Sequence, residues 1–317
     1  MKNLFKTAFK ATALLFAAAV LVSCSSKKDE SGDYNVTVST YDGANIVEQT
    51  YENKPERIVC NNVSSAEILC ALGLEDKIVG MYNPDDTVTS EYAEKISNIR
   101  KLGDKKTISN EVILGVEPDI IVGRTGTAGT VKAWNDLGVM CYFQKASAQI
   151  EQSISNVVDD VLAFGKIFDV EEKAETYASS LNSKIKTVTD SVNKDTKDKA
   201  ILMCNFSGNS YGVFKSNFQE AMLNIIGLTN SASSGNSFSL ENLIETNPKV
   251  IIYVKATRNS ANDATALEKL KSTTAISEVD AIKNDKIIVV TYVAMMDYGP
   301  EQINTILSIY QSLYEVK

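Results

Sequence analysis

The groups that could carry chemistry in this 317-residue chain are carboxylates, cations, phenols and thioethers, because it contains no histidine. Without imidazole there is no Ser-His-Asp or Cys-His catalytic arrangement and none of the usual His sites for zinc, copper or haem. No other nucleophile–base pair or metal-ligand cluster stands out, so the expectation is a non-enzyme with no resident metal and no intrinsic cofactor. The charged groups instead recur in a unit. "SNEVILGVEPDIIVGR" (109–124) and "SLENLIETNPKVIIYVK" (239–255) each place a Ser two residues before a Glu and a Pro seven after it. The glutamates are Glu111 and Glu241, and a β-branched run then ends in a cation, Arg124 or Lys255. A Ser N-cap puts each Glu in the first turn of a helix, where a carboxylate stabilises the dipole by ~0.3–1 kcal/mol. The Pro ends the helix and the next strand begins at once.

In open α/β sheets, ligands sit beyond the C-terminal ends of the strands. Applied here, the rule selects Asn62, Tyr82 and Arg124 from the first half of the chain, with Asn61, Gln144 and Lys145 at the same ends. From the second half it selects Tyr211, Lys255, Arg258, Tyr292, Met296 and Tyr298. Arg124 and Lys255 either clamp an anionic ligand from two sides or are solvent-exposed loop cations. Tyr292, Tyr298, Met295 and Met296 either line a pocket for a large planar ligand or fill the core beneath their loop. "GRTGTAG" (123–129) lacks the Lys-Ser/Thr pair of a phosphate-cradling loop, which argues against nucleotide binding.

Positioning these residues requires strands alternating with helices, the pattern of parallel βαβ units. Strands are predicted near 57–61, 77–82, 119–123 and 139–143, with helices over 64–73, 109–116 and 129–138. A second half repeats the plan with strands near 200–206, 250–255 and 286–292, and its helix over 217–228 answers 65–74. Glu67 follows Ser64 with the spacing of a capping box and is read as capping only. An Asp-Gly turn between alternating segments predicts a hairpin before the first half. Between the halves a helical stretch leads into a long amphipathic helix, with Asp169 as N-cap and Glu172 as its reciprocal partner. The fold class expected is α/β: two Rossmann-like α/β lobes joined by a single long spanning helix, with the ligand cleft between them. The corresponding boundaries are an N-terminal lobe at 34–147, a helical linker at 148–195 and a C-terminal lobe at 196–317.

The first residues read as an export signal. Lys2, Lys6 and Lys10 precede an apolar run at 11–22 that is shorter than the ~20 residues a membrane-spanning helix needs. "LVSC" (21–24) resembles a lipobox, so residues 1–23 are expected to be removed and Cys24 to carry acyl chains, with 24–33 as a flexible tether. An ordinary cleaved signal with an incidental Cys is the alternative. A net charge of −8 argues against nucleic acid or anionic lipid as partner. Cys60, Cys70, Cys141 and Cys204 each sit in an apolar run, which favours buried thiols over disulfides.

Several ordered motifs together resemble one family. They are "KPERIVCNNVSSAEILCALGLEDKIVGMYN" (54–83), "LGDKKTISNEVILGVEPDIIVGR" (102–124), "FSLENLIETNPKVIIYV" (238–254) and "AIKNDKIIVVTY" (281–292). Over essentially the whole mature chain they are similar to the substrate-binding proteins of ATP-driven importers for iron–siderophore complexes, haem and cobalamin. The resemblance implies a cleft ligand, most readily a ferric siderophore, with cobalamin or haem as alternatives. It implies a monomer held at the extracytoplasmic face of the cell membrane by its lipid anchor alone, serving an ABC permease dimer with its cytoplasmic ATPase. It further implies that Glu111 and Glu241 dock on arginines of the two permease subunits, against the simpler reading as dipole partners. From other classes, a surface interaction lipoprotein or an exported enzyme on the same scaffold stays open.

Overall fold

The computed structural model describes residues 34–85, 87–124, 130–148, 153–192, 197–235, 237–255 and 260–314. Cys24, the tether and Arg258 lie outside the described residues. β1 (Val36–Tyr41) and β2 (Ile46–Tyr51) form the expected antiparallel hairpin. Its turn closes because the Asp42 carboxylate accepts from the amides of Ala44 and Asn45 at 2.8 and 2.7 Å.

The first lobe is a five-stranded parallel sheet of β3 (Ile58–Cys60), β4 (Ile78–Tyr82), β5 (Lys101–Gly103), β6 (Ile120–Gly123) and β7 (Met140–Phe143). Its order is β5-β4-β3-β6-β7. The helices are α1 (Val63–Ala71), α2 (Ala93–Asn98), α3 (Asn110–Leu114) and α4 (Thr130–Asp136). β3 and β6 are buried along their whole length, as continuous apolar strands between two helical layers should be. The hairpin covers the outer edge at β7 with side chains and does not extend the ladder. Thr40 Oγ1 accepts from the Phe143 amide at 2.8 Å and donates to its carbonyl at 3.1 Å, while the Tyr51 hydroxyl donates to the Cys141 carbonyl at 2.7 Å.

α5 (Ser155–Ile167) and α6 (Glu171–Ser191) follow and pack on each other. α6, 21 residues and therefore ~32 Å long, runs from one lobe to the other. Its start departs from expectation: Val170 occupies the N-cap position with no side-chain cap, and Asp169 sits in a left-handed conformation (φ 56°). The sharp reversal between the two helices takes precedence over capping. The Val170 amide returns to the Gly165 carbonyl at 2.9 Å, and a Cβ on Gly165 would collide with Ala174. Asp169 pairs with Lys54 at 3.3 Å.

The second lobe contains β8 (Asp198–Cys204), β9 (Ser210–Val213), β10 (Leu228–Asn230), β11 (Ser237–Ser239), β12 (Val250–Lys255) and β13 (Ile287–Thr291). The order is β11-β9-β8-β12-β13, with β10 also pairing β8. Its helices are α7 (Asn217–Ile225), α8 (Leu240–Thr246), α9 (Ser260–Ser272), α10 (Asp280–Lys283), α11 (Tyr292–Met296) and α12 (Pro300–Tyr314). The parallel set β10-β8-β12-β13 repeats β4-β3-β6-β7 of the first lobe. β9 and β11, an antiparallel addition, went unforeseen because "SYGV" and "SFS" are short and Ser-rich. The duplicated unit is visible in the backbone: Glu117 before Pro118 and Asn247 before Pro248 both adopt positive φ (48° and 39°).

One apolar core runs through both lobes behind the cleft, joining Ile68, Phe164, Leu181, Met222, Ile252 and Ile306. The four cysteines of the described chain are buried free thiols. No helix among the described residues is long and apolar enough to cross a membrane.

Glu67 corrects the capping assignment. α1 begins two residues earlier than the Ser64 box requires, with Asn62 as N-cap and its Oδ1 accepting from the Ser65 amide at 3.3 Å. Glu67 therefore falls in the helix interior, 2% exposed, where α1 meets α12. Burial pushes its carboxyl up to about 8, aided by Asp297 and Glu301 and opposed by the Ser90 hydroxyl and the Glu301 backbone. An acid whose proton is held more tightly in the folded state stabilises the fold below its unfolded value and loses that contribution as pH rises through its folded value. Urea unfolding should show the parent losing stability relative to Glu67→Gln as pH rises from 4.5 through 8, by roughly 5 kcal/mol at full extent. Parallel pH profiles for the two proteins would refute this.

Candidate functional site

Where the C-terminal ends of the first sheet face the second lobe, Arg124 is held by its own backbone. Its amide donates to Asn61 Oδ1 at 2.7 Å and its carbonyl accepts from Asn61 Nδ2 at 2.5 Å. Gly123 (φ 138°) lets Asn61 lie across the chain there, since a Cβ would collide with that side chain. So anchored, the guanidinium reaches across the cleft. Its Cζ lies 4.6 Å from the centre of the Tyr298 ring, and Nη1 donates to the Met296 carbonyl at 3.5 Å. Such a cation–π contact contributes ~0.5–2 kcal/mol, more as water is excluded.

Beside it lies a polar network that joins the lobes. Asn62 Nδ2 donates to Gln144 Oε1 at 3.0 Å, and the Ser64 hydroxyl donates to the same oxygen at 2.9 Å. The Ser64 amide donates to Asp297 Oδ2 at 2.5 Å, and Asn62 Nδ2 also approaches the Asp297 carbonyl at 3.4 Å. Burial raises the Asp297 carboxyl to about 6, with Arg124 and the Ser64 amide drawing it down. Gln144 Nε2 is a buried donor with no partner among the described residues, a state that costs about 1–3 kcal/mol unless water or ligand accepts from it.

The sequence-derived candidates thus separate. Asn62, Arg124, Met296 and Tyr298 come together, with Tyr292 near enough for Arg124 to act on its hydroxyl. Tyr298 is 7% exposed, with its ring edge-on to Phe218 at 4.8 Å, so it is both core and site wall. Met296 Sδ accepts from Gln219 Nε2 at 3.1 Å, and Tyr292 meets Phe214 edge-on at 6.1 Å. Lys255 ends β12 opposite Thr291, whose hydroxyl lies 3.5 Å from that of Thr89 in the first lobe. Tyr82 ends β4 half-buried, its hydroxyl raised to about 12 by desolvation. Tyr211 stands apart: it is buried in the second lobe's separate core, stacked on Phe238 at 6.2 Å. Sequence reasoning passed over Ser64 and Asp297. The only trace of Asp297 was its place inside "MMDYG", at the end of the second lobe's last strand-to-helix connection.

Glu111 and Glu241 are both exposed, one residue into α3 and α8 after the N-caps Ser109 and Ser239. Each helix runs back toward the start of the strand that follows it, so both N-termini lie on the rim where β6 and β12 end. The Ser239 hydroxyl and Glu241's own backbone amide hold the Glu241 carboxyl below its usual range. An exposed apolar residue accompanies each: Val112 (43%) and Ile244 (49%).

Comparison with known proteins agrees with this geometry. The periplasmic binding protein family model matches residues 58–293. An uncharacterised ABC transporter substrate-binding lipoprotein of Bacillus subtilis, YvrC, is 25% identical, covering 95% of this chain and 95% of that protein. The petrobactin-binding protein YclQ of the same organism is 24% identical over 86% of this chain and 84% of that protein. A periplasmic binding protein of Veillonella parvula superposes with a TM-score of 0.75 at 20% identity, covering 89% of this chain and 99% of that one. With two like lobes, an interlobe cleft and a family match over most of its length, the chain belongs to the periplasmic binding proteins.

Proposed function

We propose that this chain is the lipid-anchored, extracytoplasmic solute-binding component of an ATP-driven importer, which captures a metal chelate and delivers it to a permease dimer powered by a cytoplasmic ATPase. The observation that carries the reading is the pair of exposed, Ser-capped glutamates at equivalent places on the two lobes. A permease dimer with two-fold symmetry requires a pseudo-symmetric partner, and a carboxylate flanked by an exposed apolar side chain suits an arginine-bearing surface. A ferric siderophore is the ligand class favoured, supported by the relative that binds petrobactin; cobalamin and haem are the alternatives. Asn62, Arg124, Tyr292, Met296 and Tyr298 are its contact residues, and Tyr82, Lys255 and Arg258 are further candidates from the strand ends. Tyr211 supports the second core instead of touching the ligand. Cys24 is the lipidation site, and the protein acts as a monomer at the outer face of the membrane.

Glu111→Ala combined with Glu241→Ala should leave ligand affinity intact in titration calorimetry and abolish uptake by cells that depend on this importer. Uptake at the parent rate would end the docking assignment.

Arg124→Ala should weaken an anionic chelate 10–100-fold, the range for removing one charge-assisted hydrogen bond. Equal affinities would take Arg124 out of the site. The absorption spectrum of whatever co-purifies with the protein separates siderophore, corrinoid and haem.

A further inference from the structure

Four consecutive residues of the second lobe, Met296 to Gly299, all touch the first lobe. Met296 gives its carbonyl to Arg124. Asp297 accepts the Ser64 amide in the first turn of α1 and offers its own carbonyl to Asn62. Tyr298 presents its ring to the Arg124 guanidinium. Gly299 lies so close to α1 that a Cβ there would overlap the Cβ of Ser64 and stand 3.1 Å from its Cα.

The segment is also held under strain. Tyr298 adopts a positive φ of 59°, a conformation that costs a bulky residue energy and persists only where its surroundings enforce it. The enforcing contacts are the guanidinium on one face of the ring and Phe218 at its edge. A carboxylate from one lobe thus supplies a second cap to a helix of the other, added to the Asn62 cap the helix makes for itself.

We infer that residues 296–299 form an interlobe latch: Asp297 caps α1 across the cleft, Gly299 seats against Ser64, and Arg124 pins the segment from the first lobe. The latch fixes how the lobes meet at the cleft floor without any ligand. Arg124 belongs to both devices, so a bound anion that draws the guanidinium off Tyr298 loosens one latch contact. That coupling alone rests on the proposed ligand reading, whereas the latch itself does not.

The test is amide hydrogen exchange on the mature chain without added ligand, which reads the junction independently of transport. In Gly299→Ala the new methyl group should force the junction open. Exchange at residues 62–66 and 293–302 should rise about tenfold or more, with β3, β12 and α6 at parent rates. Adding Ser64→Gly removes the opposing Cβ and should bring exchange back to that of Ser64→Gly alone. Asp297→Asn keeps the shape, loses the charge and should speed exchange of the Ser64 amide. Unchanged exchange in Gly299→Ala overturns the latch. So does a rise spread across β3, β12 and α6 that Ser64→Gly fails to reverse, because Gly299 would then be a folding residue and no interlobe contact.

Discussion

Parallel strands joined by helical crossovers have a direction, and that direction organises this molecule. When a helix leads into a parallel strand, its N-terminus lies at the end where the strand finishes. In both lobes a helix amide cluster, its Ser cap and its glutamate therefore share a rim with the cation that ends the following strand. Helix N-termini favour carboxylates, and strand ends open onto the cleft. The acidic surface and the ligand-facing residues are thus consequences of one topology used twice. Pro118 and Pro248 enforce it, since neither helix can run on past them.

Duplication alone would leave two lobes free to drift. α6 and α12 prevent this from behind, within a single apolar core that includes Leu181 and Ile306 along with side chains of α1 and α7. Lys184 ties the pair by donating to Asn304 Oδ1 at 2.6 Å. Apolar packing of this kind resists separation but says little about angle. The polar contacts of Asn62, Ser64, Gln144 and Asp297 at the front supply direction, because hydrogen bonds fail over fractions of an ångström.

Most of the framework was legible in the sequence because it follows from periodicity and from residues with one physical use. Apolar runs such as "IIVG" at 120–123 and "VIIYVK" at 250–255 read as buried parallel strands, and they are. Arg124, Met296 and Tyr298 could be nominated because strand ends in such sheets are predictable. What escaped was decided by long-range contact. Glu67 matched a capping spacing, yet the helix started earlier because Asn62 caps better in that geometry. Asp169 matched a cap, yet the packing of α5 on α6 demanded a left-handed turn there. Tyr211 ends in a core and Asp297 in a junction because pairings hundreds of residues apart, or between two short Ser-rich strands, leave no local pattern.

The buried acids show what the junction costs. Glu67 and Asp297 both sit where α1 of the first lobe meets the second, and burial raises the proton affinity of each. A junction built only for stability would hold apolar residues there, since desolvating a carboxyl is seldom fully offset by its partners. Retaining two acids trades stability for a defined apposition of the lobes, as buried polar groups do when they fix register. In a chain without histidine, these carboxyls are also groups whose protonation changes between pH 6 and 8. The contact between lobes, and so the shape offered to a ligand, accordingly contains two buried acids whose proton affinity is raised above the ordinary carboxylate range.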